Sequence, residues 1–502
     1  MSHHLLTDIE SSGHRYDSRT SRLRHADSRP RGQLWALLAL IVYTPLPLAS
    51  NRPWALALLG LLTGLILLWV VWLPAGNALE IAWKRAKSPI ILSGLWIGLL
   101  GVQLIGWPAA LLSMRAPFAE IATLSIDPYS TGLYLAKALI LFAAFWLVVT
   151  LIDTQRRIEL LARVVVISGL LQALTGVVLM ASGTTFQIFF VDMESARAHG
   201  TFVSPNQYAG YLEMTLAMGI GLMIAKLDGH TVMNWRQRLH GWLAVLLTGK
   251  AMLRLSLIIM VVGLVASRSR GGNSAFFASL LIIGVVTVIL SKWVSRNLTD
   301  KHATKRLHST VVFITSLIVL DVIIIGGVVG VEKVVQRIES TNLEKQAAVI
   351  QPSGVRAVQQ QEQSVEERGE AAIPSLQIVR NYPWLGTGGG TYHLAFPHYR
   401  PADVRGYFDH PHNDFVEFAS ETGLTGLLLL AMLLIHSLWQ SFKLLLNPCD
   451  QFTRGMLFAG LMGVTSLLIH GMVDFNFQNP ANAMLFLILL SMPYLLKLLV
   501  KK

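Results

Sequence analysis

The sequence holds a single cysteine, Cys449, and few charges: Asp, Glu, Lys and Arg make up 14% of its 502 residues. One cysteine excludes a disulfide framework and a cysteine-based zinc site. So few charges cannot cover the surface of a soluble globule, in which about 25% of residues are charged. Fixed-period repeats and heptads are missing as well, which excludes solenoids and coiled coils. Apolar and aromatic residues are what the chain has in abundance, at 53%. Set against them is a formal net charge of +12. Such a balance suits nucleic acid, an anionic membrane surface or an anionic substrate, and only position along the chain can decide between them.

About twelve segments are apolar over the length that spans a bilayer: 34–50, 54–73, 89–107, 131–152, 161–181, 207–225, 251–267, 272–290, 310–330, 423–445, 455–472 and 481–499. Several contain Gly or Pro, which membrane helices tolerate. Lys137 and Arg254 are lone polar residues inside such runs, expected to snorkel or to face the bundle. The pattern predicts an all-α polytopic membrane protein of about 12 transmembrane helices, with one large loop.

The first 33 residues are polar and carry Arg15, Arg19, Arg22, Arg24, Arg29 and Arg31. A secretory signal would place an apolar core near the start, so this stretch is expected to be a basic cytoplasmic tail. Alternating sides from there puts most Lys and Arg of the short loops inside. Only Arg52, Arg115, Arg197, Arg268 and Arg270 fall in short outside loops. That asymmetry is what the positive-inside rule predicts, and it places Cys449 and the terminal Lys497, Lys501 and Lys502 inside. The basic cluster from Lys301 to Arg306 then reads as an orientation signal, and nucleic acid is not an expected partner. The division that follows is a tail (1–33), a membrane domain of about nine spans (34–330), a large outside loop (331–421) and three last spans (422–502).

That loop is far longer than ordinary connections, and loops of such length are usually functional or disordered. Val331, Val334, Val335 and Ile338 recur at helical spacing and predict an amphipathic helix against the membrane. Residues 373–421 are instead dense in Pro, Gly, aromatics, His and Arg. Within them, Asp409-His410-Pro411-His412-Asn413-Asp414 is followed by Glu417 and Glu421 at helical spacing.

Three readings of this block compete. His-x-His-x-Asp can begin a two-metal ligand set, which would need further His or carboxylate ligands such as His393 or His398. Asn and Asp can cap a helix starting near residue 413. A histidine at the bilayer surface can serve as a general base near neutral pH.

Arginines form the second feature. Arg268 and Arg270 lie in Ser267-Arg268-Ser269-Arg270-Gly271-Gly272, and Arg197 precedes Gly200-Thr201-Phe202. Arg368, Arg400 and Arg405 lie in the large loop. Two arginines in a short outside turn run against the positive-inside rule and suggest an anionic partner. A guanidinium fork binds phosphate bidentately and keeps its charge, which suits a diphosphate neutralised by protein. The run Gly386-Thr387-Gly388-Gly389-Gly390 lacks the Lys and the preceding strand of a nucleotide loop. A tight turn with close backbone approach is its better reading.

Taken together, Pro383-Trp384-Leu385-Gly386 through Gly390 and Tyr392, His410-Pro411-His412-Asn413 with Glu417, and Gly423-Leu424-Thr425-Gly426 resemble the signature of the bacterial O-antigen ligase and polymerase superfamily. Supporting pieces are Ser267–Gly272, Gly200-Thr201-Phe202 with Pro205-Asn206, and His470 with Asp474-Phe475-Asn476. The resemblance covers roughly residues 190–485. It implies a metal-independent, type C-like lipid-linked glycosyltransferase in the bacterial inner membrane, with both termini cytoplasmic and a periplasmic site. The implied donor is a glycan on undecaprenyl diphosphate, and the implied acceptor is a hydroxyl of lipid A core or of another glycan. Neither cofactor nor metal is implied.

By the same resemblance His412 matches the family's essential histidine. Arg270, Arg368 and Arg197 match its diphosphate arginines, and Arg268, Arg400 and Arg405 are further candidates. His410, Asn413, Glu417 and Asp474 are expected to support the site. Ligase, polymerase and protein-glycosylating members share these motifs. A twelve-span transporter is the reading from a different class, but it would place its polar residues near the midplane.

Overall fold

The computed structural model describes residues 31–72, 78–107, 118, 122–183, 186–188, 191–193, 196–227, 249–296, 365–402, 404, 408–447 and 449–500. The basic tail, the Lys301–Arg306 cluster, the run 310–330 and the helix expected from Val331 to Ile338 lie outside the described residues. Among the described residues, nine helices are long and apolar enough to cross a membrane. They are α2 (Pro53–Trp72), α3 (Ala78–Gln103), α4 (Pro128–Leu151), α5 (Gln155–Ser182), α6 (Pro205–Ala225), α8 (Arg270–Arg296), α11 (Asp414–Leu445), α12 (Gln451–His470) and α13 (Pro480–Val500). Two shorter apolar helices, α1 (Arg31–Tyr43) and α7 (Gly249–Ala266), accompany them. A small antiparallel hairpin, β1 (Phe186–Ile188) with β2 (Val191–Met193), joins α5 to α6. The protein is thus an all-α polytopic membrane protein.

Every anticipated run but 310–330 coincides with a described helix, although three boundaries move for physical reasons. The first helix stops at Tyr43, before Pro45 and Pro47, and the chain then passes through Leu48, Ala49 and Ser50 in the left-handed region. α3 starts at Ala78, ahead of its apolar stretch, and leaves helical geometry at Ala86 just before Pro89. α11 starts at Asp414, because Asn413 caps it by accepting from the N–H groups of Phe415 and Val416. Glu417 and Glu421 therefore sit on a membrane helix rather than in the loop preceding it.

The middle of the bundle is α6, α12 and α13, whose apolar windows are 94%, 78% and 89% buried against 28–44% for the other spans. Small residues make this possible. Gly221 and Gly455 stand so close that a Cβ on either would fall onto the other's backbone carbonyl, and Ala459 flanks them. Lipid supplies no hydrophobic force between helices, so close backbone packing of this kind is what holds them.

The segment between the eighth and eleventh helices forms α9 (Val365–Asn381) and a single turn, α10 (Tyr392–Ala395). α9 runs through Pro374 despite the missing N–H. It packs Ala371 and Ile378 with Tyr382, Tyr392, Phe396 and Phe408 in a small separate core. This core rests on the bundle through Gln103 at the end of α3. Its amide donates to the carbonyls of Leu385 (2.6 Å) and Glu421 (2.9 Å) and accepts from the N–H of Gly389 (3.1 Å). The glycine run is a tight turn against α4, with Thr131 donating to the Gly389 carbonyl at 2.9 Å.

Candidate functional site

The N-terminus of α11 is sewn to the connection between α12 and α13. The Asp414 N–H donates to the carbonyls of Gly471 (2.8 Å) and Asp474 (3.2 Å). Its buried carboxylate accepts from the N–H groups of Asn476 (2.9 Å) and Phe477 (3.2 Å). Asn413 adds a bond from its amide to the Met472 carbonyl at 2.9 Å. Asn413 thus caps α11 as one sequence reading expected, whereas the Asp414 carboxylate is engaged by the α12–α13 connection, and the two together bring residues 409–413 against residues 471–477.

His412 is the residue that this junction presents. Its φ is 52°, a left-handed conformation uncommon for a side chain other than Asn, Asp or His. Its Nδ1 lies 3.9 Å from Oδ1 of Asp474; the imidazole keeps 19% exposure while the carboxylate keeps 1%. That nitrogen is buried without a hydrogen-bond partner. Phe475 packs edge-on to the His412 ring at 5.1 Å between centroids. The pair therefore consists of a buried carboxylate behind a ring whose other edge is open.

His410 plays a different part. Its Nδ1 sits 2.7 Å from Oε1 of buried Glu417, and its ring stacks on Phe475 with 4.2 Å between centroids. Burial pushes its pKa down to about 4, against the pull of Glu421 and Asp409. A histidine whose folded pKa lies below its ordinary 6.5 adds stability that is full above pH 6.5 and lost as pH falls through about 4. The apparent Tm in detergent should therefore decline across that window. His410→Asn, which keeps a donor toward Glu417 and cannot titrate, should flatten the decline.

The arginine turn approaches the same end of the bundle. Ser267 accepts from the Ser269 N–H, and Ser269 accepts from the Gly272 N–H, capping α8 so that Arg270 is its first residue. Arg268 has φ 52°, and both Arg268 and Arg270 are exposed. Arg197 donates from Nε to the Ser267 carbonyl (2.7 Å) and from Nη2 to Oδ1 of Asn206 (3.1 Å). Its guanidinium holds the turn against the start of α6. The free N–H groups of a helix start and an exposed Arg270 both favour an anion.

One carboxylate sits where no motif drew attention. Glu213, fully buried on α6, accepts from Ser466 and pairs with Nδ1 of His470 at 2.6 Å. His470 ends α12, and its Nε2 lies 3.9 Å from Oδ2 of Asp474. Lys137, on α4, donates to Oε1 of Gln478 at 2.9 Å and faces the Tyr134 ring, so it faces the bundle. Glu213 carried one weak signal, a lone carboxylate in an apolar run, and its partners lie some 250 residues away.

The structure thus gathers His410, His412, Asn413, Glu417 and Asp474 at one junction, with the turn of Arg197, Arg268 and Arg270 beside His470. Arg400 is exposed after the turn Phe396–His398. Arg368 lies in the first turn of α9 by its backbone, and Arg405 lies outside the described residues. Among the described residues, no three His, Cys, Asp or Glu side chains are grouped so that they could hold a metal ion.

Fold and site together define a multi-pass membrane protein in which two histidines, an asparagine and two buried carboxylates meet at one junction of a helix bundle. A family model described as O-antigen ligase matches residues 255–431, and this segment of the chain is similar to the O-antigen ligase family. The match takes in the arginine turn, α9, the glycine turn and the His412 block, and it supports lipid-linked glycan transfer in general terms. No curated protein matches the chain.

Proposed function

We propose that this protein transfers an oligo- or polysaccharide from undecaprenyl diphosphate to a hydroxyl of lipid A core, at the periplasmic face of the bacterial inner membrane. The observation that carries the proposal is the His412–Asp474 pair, with its buried carboxylate and half-open imidazole, at the end of the bundle that also bears Arg270. The acceptor oxygen attacks the anomeric carbon. The bond from that carbon to the diphosphate oxygen breaks, and its electron pair leaves with the diphosphate. His412 takes the proton of the acceptor hydroxyl, while Asp474 stabilises the imidazolium that forms. Arg270, with Arg368, Arg197, Arg268, Arg400 and Arg405 as further candidates, offsets the charge building on the diphosphate. A diphosphate is a good leaving group without protonation, so the two flanking carboxylates of a glycoside hydrolase are not required. One displacement inverts the anomeric centre.

The product pattern tests this reading. Deleting the gene should leave lipid A core bare while long lipid-linked glycan accumulates. Single repeat units on the core would instead identify a polymerase. An intact, fully decorated core would remove both readings. Cysteine labelling of exposed positions in residues 373–402 checks the side: labelling only from the cytoplasm would sink the proposal.

A further inference from the structure

We propose that His470, held by Glu213, is a positioning residue that locks Asp474 and the Arg270 turn into one register; the inference rests on the transferase reading above. The geometry joins four elements. Glu213 and His470 have no exposed side-chain surface, so neither can touch a substrate. Nδ1 of His470 is committed to Glu213 at 2.6 Å, which turns the opposite edge of the ring toward the junction. There Nε2 faces Oδ2 of Asp474 at 3.9 Å, while Oδ1 of the same carboxylate faces Nδ1 of His412, also at 3.9 Å. Asp474 thus stands between two imidazoles, one open to the site and one sealed in the bundle.

The sealed ring also lies under the arginine turn. A Cβ at Gly271 would come within 2.9 Å of Cδ2 of His470, and one at Gly272 within 3.2 Å of Cε1. The two glycines after Arg270 therefore let α8 start directly on this ring. Ser466, one turn earlier on α12, holds the second oxygen of Glu213. A buried carboxylate is costly unless its oxygens are satisfied. Glu213 has both satisfied and lies in the most buried of the described spans. An interaction this demanding, placed beneath the base and beneath the turn that receives the diphosphate, fixes the distance between them. Transfer depends steeply on that distance, since misplacement by an ångström costs on the order of a hundredfold.

The experiment measures transfer from lipid-linked glycan in proteoliposomes by the wild type, His470→Asn, Glu213→Gln, Asp474→Asn and the double variant His470→Asn/Asp474→Asn. Asn keeps an amide donor near the Nδ1 position and removes the edge facing Asp474. The expected result is a kcat lowered about tenfold or more by His470→Asn, with KM for the donor changed by less than about threefold. The double variant should be no slower than the slower single variant, because both act through one carboxylate. Leu489→Ala, in the core of α13, supplies the comparison for lost packing alone. The inference is overturned if the losses multiply in the double variant, if His470→Asn keeps wild-type kcat, or if its loss matches that of Leu489→Ala at equal Tm. His412→Asn is run in parallel. If it transfers at the wild-type rate, the transferase assignment itself has failed, a result separate from any behaviour of His470.

Discussion

Replacing His412 by Asn should lower kcat for glycan transfer by about 10²–10⁴-fold, the range a positioned general base contributes. Asn is the informative substitution because of the backbone. At φ 52°, alanine would add strain of its own, whereas Asn enters the left-handed region more readily than most residues. The variant should therefore fold, keep its apparent Tm within a few degrees and bind the lipid-linked donor, leaving loss of the base as the cause. The unpartnered Nδ1 beside Asp474 argues the same way. A structural histidine would satisfy that nitrogen, and here it waits 3.9 Å from a buried carboxylate. Retention of more than about a tenth of the wild-type rate would remove His412 from the role of base.

The largest effect on stability should come from Gly386→Ala or Gly423→Ala. Gly386 has φ 66° and Gly423 has φ 67°, with α11 breaking helical geometry at the second. Each backbone occupies the place of the other's missing side chain. A Cβ at Gly386 would fall on the Glu421 carbonyl, and one at Gly423 on the Trp384 carbonyl. Three backbone bonds close the joint: Leu424 N–H to Pro383 (2.7 Å), Gly388 N–H to Glu421 (2.9 Å) and Thr387 N–H to Ser420 (2.9 Å). Neither chain can retreat without losing them. Either substitution should cost more than about 3 kcal/mol and abolish recovery of monodisperse protein by size-exclusion chromatography. Gly390→Ala provides the contrast. Its φ is 75°, but the nearest atom to a Cβ there is 3.2 Å away, so the cost should stay near 1 kcal/mol of backbone strain. Equal behaviour of Gly390 and Gly386 would show that φ alone, not the interlock, sets the penalty.

The sequence makes the helices legible because each apolar run reports its own burial in lipid, without reference to any other run. The His412 block and the arginine turn are legible for a related reason: polar residues packed between apolar runs demand an explanation. Asn413 and Asp414 announce a helix start by residue type. Glu213 carries only the weak mark of a lone carboxylate and Ser466 none, since their meaning comes from His470, which approaches through the packing of α6 on α12. Gln103 is an unremarkable residue at the end of an apolar run until α3 is seen to support the glycine turn and Glu421 together. The structural role of Arg197 is hidden likewise, because the acceptor that ties it to the arginine turn is the Ser267 backbone carbonyl, which has no side-chain signature.

The bonds of Asp414 have a consequence for biosynthesis. Helix α11 emerges from the ribosome before residues 471–477 exist, so its first residue waits with an unsatisfied carboxylate until α12 and α13 have entered the membrane. Nascent chains halted before residue 480 should leave this end of α11 open and sensitive to protease. Chains halted later should close it as the last hairpin inserts. The junction of residues 409–413 with residues 471–477 therefore closes only after α12 and the connection that follows it have been made.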